Sequence, residues 1–151
     1  LSTGESSRLY RKLVYEEQSA LFAGGLSIGR KDTGLFYAFC AAKPGRDRDS
    51  LETTFFHEFE RLATDEVTEE ELARVQNQLE AQFVFGLEQV QDRATSVGIA
   101  TLIGGDPQRA AQRVARWRAV TRQDIRRVAS MYLVPANRTR VWVLPAPRRA
   151  S

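Results

Sequence analysis

Near its N-terminus the sequence changes from helical to extended periodicity, and this change constrains the fold more than any other feature. Leu9 and Leu13 stand four residues apart, so they share one face of a helix predicted over residues 6–18. Two strand-like runs follow at 20–30 and 35–42, joined by a Lys-Asp-Thr-Gly turn. This order predicts an antiparallel hairpin that follows a helix.

The two predicted strands differ in how their side chains alternate. In the first, Leu26 and Ile28 alternate with Ser27 and Gly29, which predicts one buried and one wetter face. The second strand is apolar on both faces, which is typical of a strand in the centre of a sheet. We therefore expect the second strand to be central.

A helix with a core-facing stripe is predicted to begin at Asp49, because Glu52 follows three residues later. Its apolar positions recur at the spacing of one helix face: Leu51, Phe55, Phe59 and Leu62. These side chains are predicted to pack against the sheet.

The next predicted helix has the strongest start signal in the chain. Thr68 is its N-cap, the Glu71 side chain is predicted to reach back to the cap, and apolar residues flank the cap as a hydrophobic staple. The helix can run to residue 103 and is expected to bend at a glycine, Gly86 or Gly98.

Glycine and proline delimit the last third of the chain. A Gly-Gly pair at 104–105 ends the long helix, and the Asp-Pro pair that follows starts another. A capping box at Thr121 and Asp124 begins the last helix. A closing strand over 139–144 is predicted to return to the sheet.

These elements predict an α+β fold in which helices pack on one face of a mostly antiparallel sheet. A chain of 151 residues can form one domain with its own core. We predict that this domain spans residues 1–146 and that 147–151 form a basic Pro/Arg tail. No apolar run approaches the roughly 20 residues of a membrane span, and a net charge of +3 is too small to indicate a nucleic-acid partner.

The chain has one histidine, His57, which limits the chemistry that it can perform. An H-x-x-E-H zinc motif needs two histidines on one helical face. On a helix His57 lies about 200° from Phe55 and from Phe59, away from the apolar stripe. We interpret His57 as an exposed structural residue. Cys40, the only cysteine, lies in an apolar strand and is interpreted as a small core residue.

Two further clusters have structural explanations. The run from Glu69 to Glu71 suggests a carboxylate site, but acidic residues in the first turn of a helix complement its dipole. Gly24, Gly25 and Gly29 match neither phosphate-binding pattern, and glycine in a strand marks a bulge or a close backbone approach. We predict no catalytic, cofactor-binding or metal-binding residue in this chain.

Seven arginines make the segment 109–127 basic. A helix would place Arg109, Arg113 and Arg116 on one face and Trp117 among apolar residues on another. Such a surface could bind an acidic partner or nucleic acid, but no aromatic residue alternates with these arginines on their face. A solvated helix face explains the pattern, and a basic binding module is a weaker interpretation.

The sequence resembles the C-terminal type of domain in M16 zinc metallopeptidases, the pitrilysin or inverzincin family that includes processing-peptidase-like members. The resemblance rests on motifs in a defined order: the SSRLY…LVYEEQ helix, the DTGLF strand, a Pro-Gly pair, the VTEEEL and VTRQDI helix starts and the closing PANRTRV segment. An M16 domain normally opens with a further strand and helix. The resemblance therefore implies an N-terminally truncated piece of a larger polypeptide.

In this family, catalysis combines a domain that carries the zinc motif with a domain that carries an Arg and a Tyr spaced R-x-x-x-x-x-x-Y. The resemblance places Val14 at the Arg position and Leu21 at the Tyr position. Neither side chain can donate the hydrogen bonds that an oxyanion requires. Arg11 and Tyr15 lie nearby but have the wrong spacing.

The resemblance implies a non-catalytic domain that packs against a zinc-bearing N-terminal domain of the same polypeptide and helps to form a peptide-binding chamber. Zinc is expected in that domain or in a partner subunit, and a homologous partner would supply the Arg/Tyr pair to form an active heterodimer. The alternative is a purely structural subunit with no proteolytic role. The sequence leaves open whether the parent is an enzyme and whether this bacterial-type soluble protein is periplasmic or cytoplasmic.

Overall fold

The computed structural model describes residues 1–144. In chain order its elements are α1 (Arg8–Tyr10), which continues as a π-helix (Arg11–Glu16), β1 (Ala20–Gly29), β2 (Gly34–Ala42), α2 (Arg48–Thr64), α3 (Glu69–Gly86), α4 (Val90–Gly104), a 3₁₀ turn (Pro107–Arg109), α5 (Arg113–Arg118), α6 (Arg122–Tyr132) and a second 3₁₀ turn (Pro135–Asn137). The fold is α+β, as predicted. None of the helices in these residues is long and apolar enough to cross a membrane. The predicted tail, 147–151, lies outside the described residues.

The N-terminal helix, α1 with its π-helical continuation, lies at the centre of the main core. Leu9 and Leu13 have no exposed surface, as their shared face predicted. The helix closes with a wide turn in which the backbone N–H of Glu17 donates to the carbonyl of Lys12 at 2.9 Å. This five-residue step is the hydrogen-bond pattern of a π-helix.

β1 and β2 form the predicted antiparallel hairpin, which turns between Gly29 and Gly34. A register irregularity between Ala20 and Phe22 marks the point where β1 leaves the helix. On β2, Cys40 and alternate residues beside it pack against the main core. The inner face of the hairpin therefore covers the N-terminal helix.

Two predictions for this hairpin were wrong. Leu26 and Ile28 are exposed, because they pair with Tyr37 and Leu35 on the face that points away from the helices, whereas the residues that alternate with them on β1 point inward. β2 is not central, since within residues 1–144 it pairs with β1 alone. One of its two apolar faces is exposed within the described residues, with Leu35, Tyr37 and Phe39 on it.

α2 lays its apolar stripe against the N-terminal helix and the hairpin. The four predicted positions are all buried: Leu51, Phe55, Phe59 and Leu62. The N-cap is Asp47, which accepts a hydrogen bond from the N–H of Ser50 at 2.9 Å, and not the predicted Asp49. Asp49 lies instead in the first turn, where a carboxylate complements the helix dipole. Leu62 also joins Val67 and Ala129 in a second cluster, which connects α2 to α6.

The long helix predicted after Thr68 is two helices in the structure. Thr68 caps α3 as predicted, by accepting a hydrogen bond from the N–H of Glu71 at 3.1 Å. The helix does not bend at Gly86 but ends there, and α4 begins at Val90. Glycine is a poor residue for a helix interior, which favours a helix end at Gly86, whereas Gly98 lies inside α4 without a break. Gly105, with a φ of 73°, ends α4 at the predicted place.

In the C-terminal third the predicted start of the last helix is confirmed, but the predicted strand is wrong. Thr121 and Asp124 form the predicted capping box of α6. The Asp-Pro pair opens only a 3₁₀ turn. The strand predicted over 139–144 does not form, because within residues 1–144 this segment pairs with no strand and its side chains bind to α2 instead.

We expect Leu13→Ala and Phe59→Ala to lower the free energy of unfolding by about 2–5 kcal/mol each, since both side chains are buried in the main core. His57→Ala, on the exposed side of α2, should change it by no more than about 0.5 kcal/mol. Urea unfolding followed by circular dichroism measures all three. Equal losses in the three variants would show that the helix faces are assigned incorrectly.

Candidate functional site

The junction between the N-terminal helix and β1 contains the two positions at which the family resemblance places a catalytic pair. Gln18 turns the chain there with a φ of 50°, a conformation that residues other than glycine rarely adopt. The N–H of Ser19 donates to the carbonyl of Leu13, and the N–H of Lys43 donates to the carbonyl of Ser19, both at 2.9 Å. The start of β1 is therefore held against both the helix and the end of β2.

The side chains at the two positions named by the resemblance are hydrocarbon. Val14 is half-buried and packs against the main core, and Leu21 is exposed. Of the two polar neighbours, Arg11 is exposed, and Tyr15 packs edge-on against Tyr10 with ring centres 5.4 Å apart. A rigid junction with apolar side chains has no group that could hydrogen-bond an oxyanion from these two positions.

α2 places His57 on its exposed side and buries the next residue, which the sequence reasoning missed. Glu58 is 2% exposed, and its Oε1 accepts a hydrogen bond from Nη1 of Arg61 at 3.2 Å. The sequence signal that could have revealed this ion pair is the spacing of Glu58 and Arg61, which lie three residues apart on one helix. A buried carboxylate that is paired within its own helix is a structural group.

Cys40 packs against the main core from β2, as predicted. Burial raises the pKa of its thiol to about 11, so the thiol is protonated at neutral pH. The thiolate, not the thiol, is the nucleophile and the metal ligand. Within residues 1–144 no group of three or more His, Cys, Asp or Glu side chains is placed to hold a metal ion.

An ion pair between distant segments joins α1 to α3. Arg8 donates from Nε to Oε1 of Glu71 at 2.9 Å and from Nη2 to Oε2 at 2.8 Å, and both side chains are largely shielded from solvent. The hydrogen bonds from Arg8 lower the pKa of the Glu71 carboxyl, against the opposing effect of burial. The prediction that Glu71 completes a capping box was wrong, since its carboxylate ties the start of α3 to the N-terminal helix.

The basic face predicted for Arg109, Arg113 and Arg116 does not form. Arg109 ends a 3₁₀ turn, and α5 begins only at Arg113, so the helical spacing between them is interrupted. Arg113 lies over the ring of Phe83 on α3, 5.3 Å from its centre. Other arginines of this segment form ion pairs with acidic residues of α3, as Arg118 does with Glu80. These arginines pack α5 against α3, which favours the structural interpretation.

A groove of about 1410 Å³ lies between β2, two helices and the C-terminal segment. One wall is residues 34–40 and the other is residues 137–142. The floor consists of apolar side chains from α2 and α6, among them Leu51, Phe55, Phe59, Leu62, Ile125 and Val128. The sequence predicted the helices that form this floor but not the open space above them.

The wall formed by residues 137–142 is held on α2 by alternate side chains. The guanidinium of Arg138 lies 3.8 Å from the centre of the Phe56 ring. Trp142 donates from Nε1 to Oε2 of Glu52 at 2.9 Å, and Arg140 bonds the other oxygen of the same carboxylate. The bond from Trp142, with those from Arg140, lowers the pKa of Glu52. Contacts at every second residue indicate extended backbone.

The chain is similar in sequence to known peptidase-like proteins. The profile of the family described as the Peptidase M16 inactive domain matches residues 1–79. An uncharacterized zinc protease of Streptomyces coelicolor is 29% identical over 129 residues, which are 85% of this chain and 28% of that relative. The chain therefore spans less than a third of the length of this curated relative.

The fold is shared with solved structures. The inactive peptidase domain of a "putative zinc protease" from Bordetella parapertussis has a TM-score of 0.83 and 27% identity, and the match covers 99% of this chain and 80% of that chain. A "putative zinc protease" from Bordetella pertussis Tohama I has a TM-score of 0.82 and 28% identity, and the match covers 97% of this chain and 80% of that chain. A protease from Helicobacter pylori has a TM-score of 0.79 at 24% identity over 89% of this chain and 32% of that chain, a likeness of fold alone.

We expect Gln18→Gly to stabilise the chain by about 0.5–1 kcal/mol, because relief of a left-handed conformation that costs about 1–2 kcal/mol exceeds the entropic cost of glycine, about 0.5–1 kcal/mol. Gln18→Ala is the matched control, since alanine keeps a Cβ at the same φ of 50°. Thermal unfolding measures both variants. An equal shift of the unfolding midpoint in Gln18→Gly and Gln18→Ala would contradict the claim that the left-handed backbone at Gln18 is strained.

Glu71→Gln should cost about 1.5–3 kcal/mol at pH 7, since it removes charged hydrogen bonds to Arg8. The folded pKa of Glu71 lies below its ordinary value of 4.5, so the stabilisation is present above that pH and is lost as the pH falls through the folded pKa. The difference between wild type and variant should therefore narrow in acid. Glu70→Gln, exposed in the same helical turn, is the control. Urea unfolding at several pH values from 7 to 3 measures this difference. A difference in the free energy of unfolding that stays constant over this range would contradict the prediction.

Proposed function

Because the chain belongs to the M16 peptidase family, as its inactive domain, we propose that it is the non-catalytic domain of a zinc metallopeptidase or of one of its subunits. In this role it packs against a zinc-bearing domain and helps to enclose a peptide-binding chamber. The observation that carries the proposal is the junction of the N-terminal helix with β1, where the side chains at the two positions that the resemblance assigns to the family's Arg and Tyr are the hydrocarbons Val14 and Leu21.

The backbone of the junction is fixed by hydrogen bonds, but its side chains at Val14 and Leu21 lack the hydrogen-bond donors of a catalytic pair. Backbone bonds to Ser19 hold the start of β1 in place. One donor to an oxyanion contributes about 3–4 kcal/mol to the stabilisation of the transition state, and a hydrocarbon side chain contributes no such bond. In an active assembly these donors come from a homologous partner subunit.

The zinc of such an assembly would be held outside this chain. A catalytic zinc site uses three protein ligands close together. His57 lies exposed on α2, and Cys40 lies on β2 with a protonated thiol. These two residues stand on different elements, and within residues 1–144 neither belongs to a group of three or more His, Cys, Asp or Glu side chains that could hold a metal ion.

The second candidate is a structural subunit with no proteolytic role. The hydrocarbon side chains of Val14 and Leu21 are also compatible with a protein that takes no part in proteolysis. The two candidates differ in the rest of the polypeptide. A subunit of a working peptidase has H-x-x-E-H and a distant glutamate ligand there, and a structural subunit does not.

The test is complementation between chains. We expect the polypeptide that contains this chain to be inactive alone on a fluorogenic peptide and to gain activity when it is mixed with a homologue that carries R-x-x-x-x-x-x-Y. Replacement of the homologue's Arg or Tyr should reduce the gain by about 100-fold or more, since each supplies a transition-state contact.

Leu21→Ala in this chain is the matched control, because Leu21 is exposed and its replacement removes no hydrogen-bonding group. It should leave the gain unchanged. Robust proteolysis by the purified polypeptide without a partner would contradict the proposal. No activity in any mixture would favour the structural subunit.

A further inference from the structure

The face of the β1–β2 hairpin that points away from the helices is apolar over its whole length. Alternation along the paired strands places eight residues on this face, and none of them is charged. Six have large side chains that are each between 37% and 58% exposed: Phe22, Leu26, Ile28, Leu35, Tyr37 and Phe39. We call this surface the outer face.

The sizes of the side chains on the two faces of the hairpin are the reverse of those in a solvated sheet. An antiparallel sheet with one face in water carries its large apolar residues inward and polar residues outward. On β1 the inward positions are instead small, as at Ala23 and Gly25, whereas the large residues point outward. A contiguous exposed apolar surface of this kind marks an interaction site.

Aromatic contacts hold the outer face in one arrangement. The ring of Phe39 lies 6.1 Å from that of Phe22 and 5.5 Å from that of Tyr37, measured between ring centres. It also covers Gly24, since a Cβ added there would stand 3.2 Å from Cζ of Phe39. Side chains that already support each other lose little freedom when a partner binds, so this surface is prepared for contact.

Both ends of the outer face are basic. The alternation continues to Arg30 at the turn and to Lys43 at the opposite end, where their backbone N–H groups extend the ladder with hydrogen bonds of 2.9 Å. Neither side chain belongs to an ion pair within residues 1–144. In the turn, Arg30 and Lys31 outnumber the one acidic residue, Asp32.

This distribution of charge decides between the possible occupants. A second copy would bring its own Arg30 and Lys43 against those of the first, whichever way it is turned, and like charges repel each other. A partner with acidic groups at the two ends of an apolar stripe is complementary instead.

The length of the outer face indicates the shape of that partner. Thr33, the partner of Arg30 in the ladder, stands ten residues before Lys43, so the two cations are about 33 Å apart at about 3.3 Å per residue. The face of a sheet offers no backbone hydrogen bonds, and a segment that lies on it must satisfy its own backbone groups. An α-helix does this, and one of about 22 residues spans this length.

We propose that the outer face binds an amphipathic helix of a peptide or protein substrate, with acidic residues near both helix ends and an apolar stripe between them. That the bound helix is a substrate rests on the proposed function, in which this chain helps to enclose a peptide-binding chamber. The outer face begins at Phe22, directly after Leu21 at the junction, so a chamber wall that includes the junction includes this face as well. The binding itself depends only on the exposed side chains.

Peptide binding to the chain of residues 1–151 tests the proposal. The probe is a fluorescein-labelled helical peptide of about 22 residues with a leucine stripe and glutamates at each end. We expect its fluorescence anisotropy to rise when the chain is added, and a peptide with lysines in place of the glutamates should bind at least about 10-fold more weakly. Replacement of the leucines by serines should abolish binding, since the apolar stripe supplies most of the contact.

Matched variants locate the helix on the outer face. Leu26 on this face and Val97 on α4 are both 45% exposed. Leu26→Glu should weaken binding at least about 10-fold, because it places a charge beneath the apolar stripe, whereas Val97→Glu should leave binding unchanged.

A charge reversal keeps the test decisive even if Leu26→Glu does not fold. Arg30→Glu at the turn end should weaken binding of the acidic peptide and strengthen binding of the lysine peptide. A loss of folding would weaken the binding of both peptides, so opposite changes can come only from contact with this end of the face.

Several results would overturn the proposal. If the acidic peptide does not bind, or binds no better than the lysine peptide, the outer face does not recognise an acidic helix. Binding to residues 1–151 but not to the polypeptide that contains this chain would show that the face is covered within that polypeptide. Binding only to vesicles of anionic phospholipid would assign the face to a membrane surface, and self-association that Leu26→Glu removes would assign it to a second copy.

The proposal and the proposed function can fail separately. Binding of the acidic peptide by a polypeptide that shows no peptidase activity in any mixture would support the outer face as a helix-binding site while contradicting the proposed function. Peptidase activity that follows the expected complementation, without any binding of the acidic peptide, would contradict the helix-binding site alone.

Discussion

The structure depends on the burial of one short helix between the hairpin and α2. Leu9 and Leu13 are fully buried against small residues of β1, Ala20 and Ala23, and against Leu51 of α2. Small side chains on the strand let the helix approach the sheet closely, and full burial of each leucine contributes about 1.5–3 kcal/mol. This packing sets the direction in which the chain leaves the helix, and with it the position of the junction at the start of β1.

Several local signals in the sequence predicted local structure correctly. The stripe on α2 and the capping box at Thr121 lie where their spacing indicated, because each depends on contacts within one helix or on one apolar face. Two of the wrong predictions, for Glu71 and for Leu26, needed knowledge of a distant partner. The carboxylate of Glu71 prefers Arg8 to its own cap, since a bidentate guanidinium is the stronger partner. Leu26 is exposed because small residues, not large ones, allow the hairpin to approach the helix.

The two features that the sequence could not predict are both consequences of tertiary packing. The left-handed turn at Gln18 could not be predicted because no glycine, the usual signal of such a turn, lies there. The backbone hydrogen bonds of Ser19 hold the turn in place. The groove arises because the segment 137–142 binds α2 through its side chains instead of pairing with β2. Val14 lies in the N-terminal helix and Leu21 in β1, and their assignment to the family's Arg and Tyr positions stays a prediction from the resemblance.

The fold is that of the inactive peptidase domains to which the chain is similar, and its reactive and charged side chains have structural roles. Its arginines pack helices together, its one cysteine is protonated in the core, and its one histidine faces solvent. The most direct test is elemental analysis of the purified chain after mild dialysis. We predict far less than one zinc ion per chain, because one histidine and one cysteine on different elements cannot form a zinc site. About one tightly held zinc per chain, lost in His57→Ala, would contradict the account.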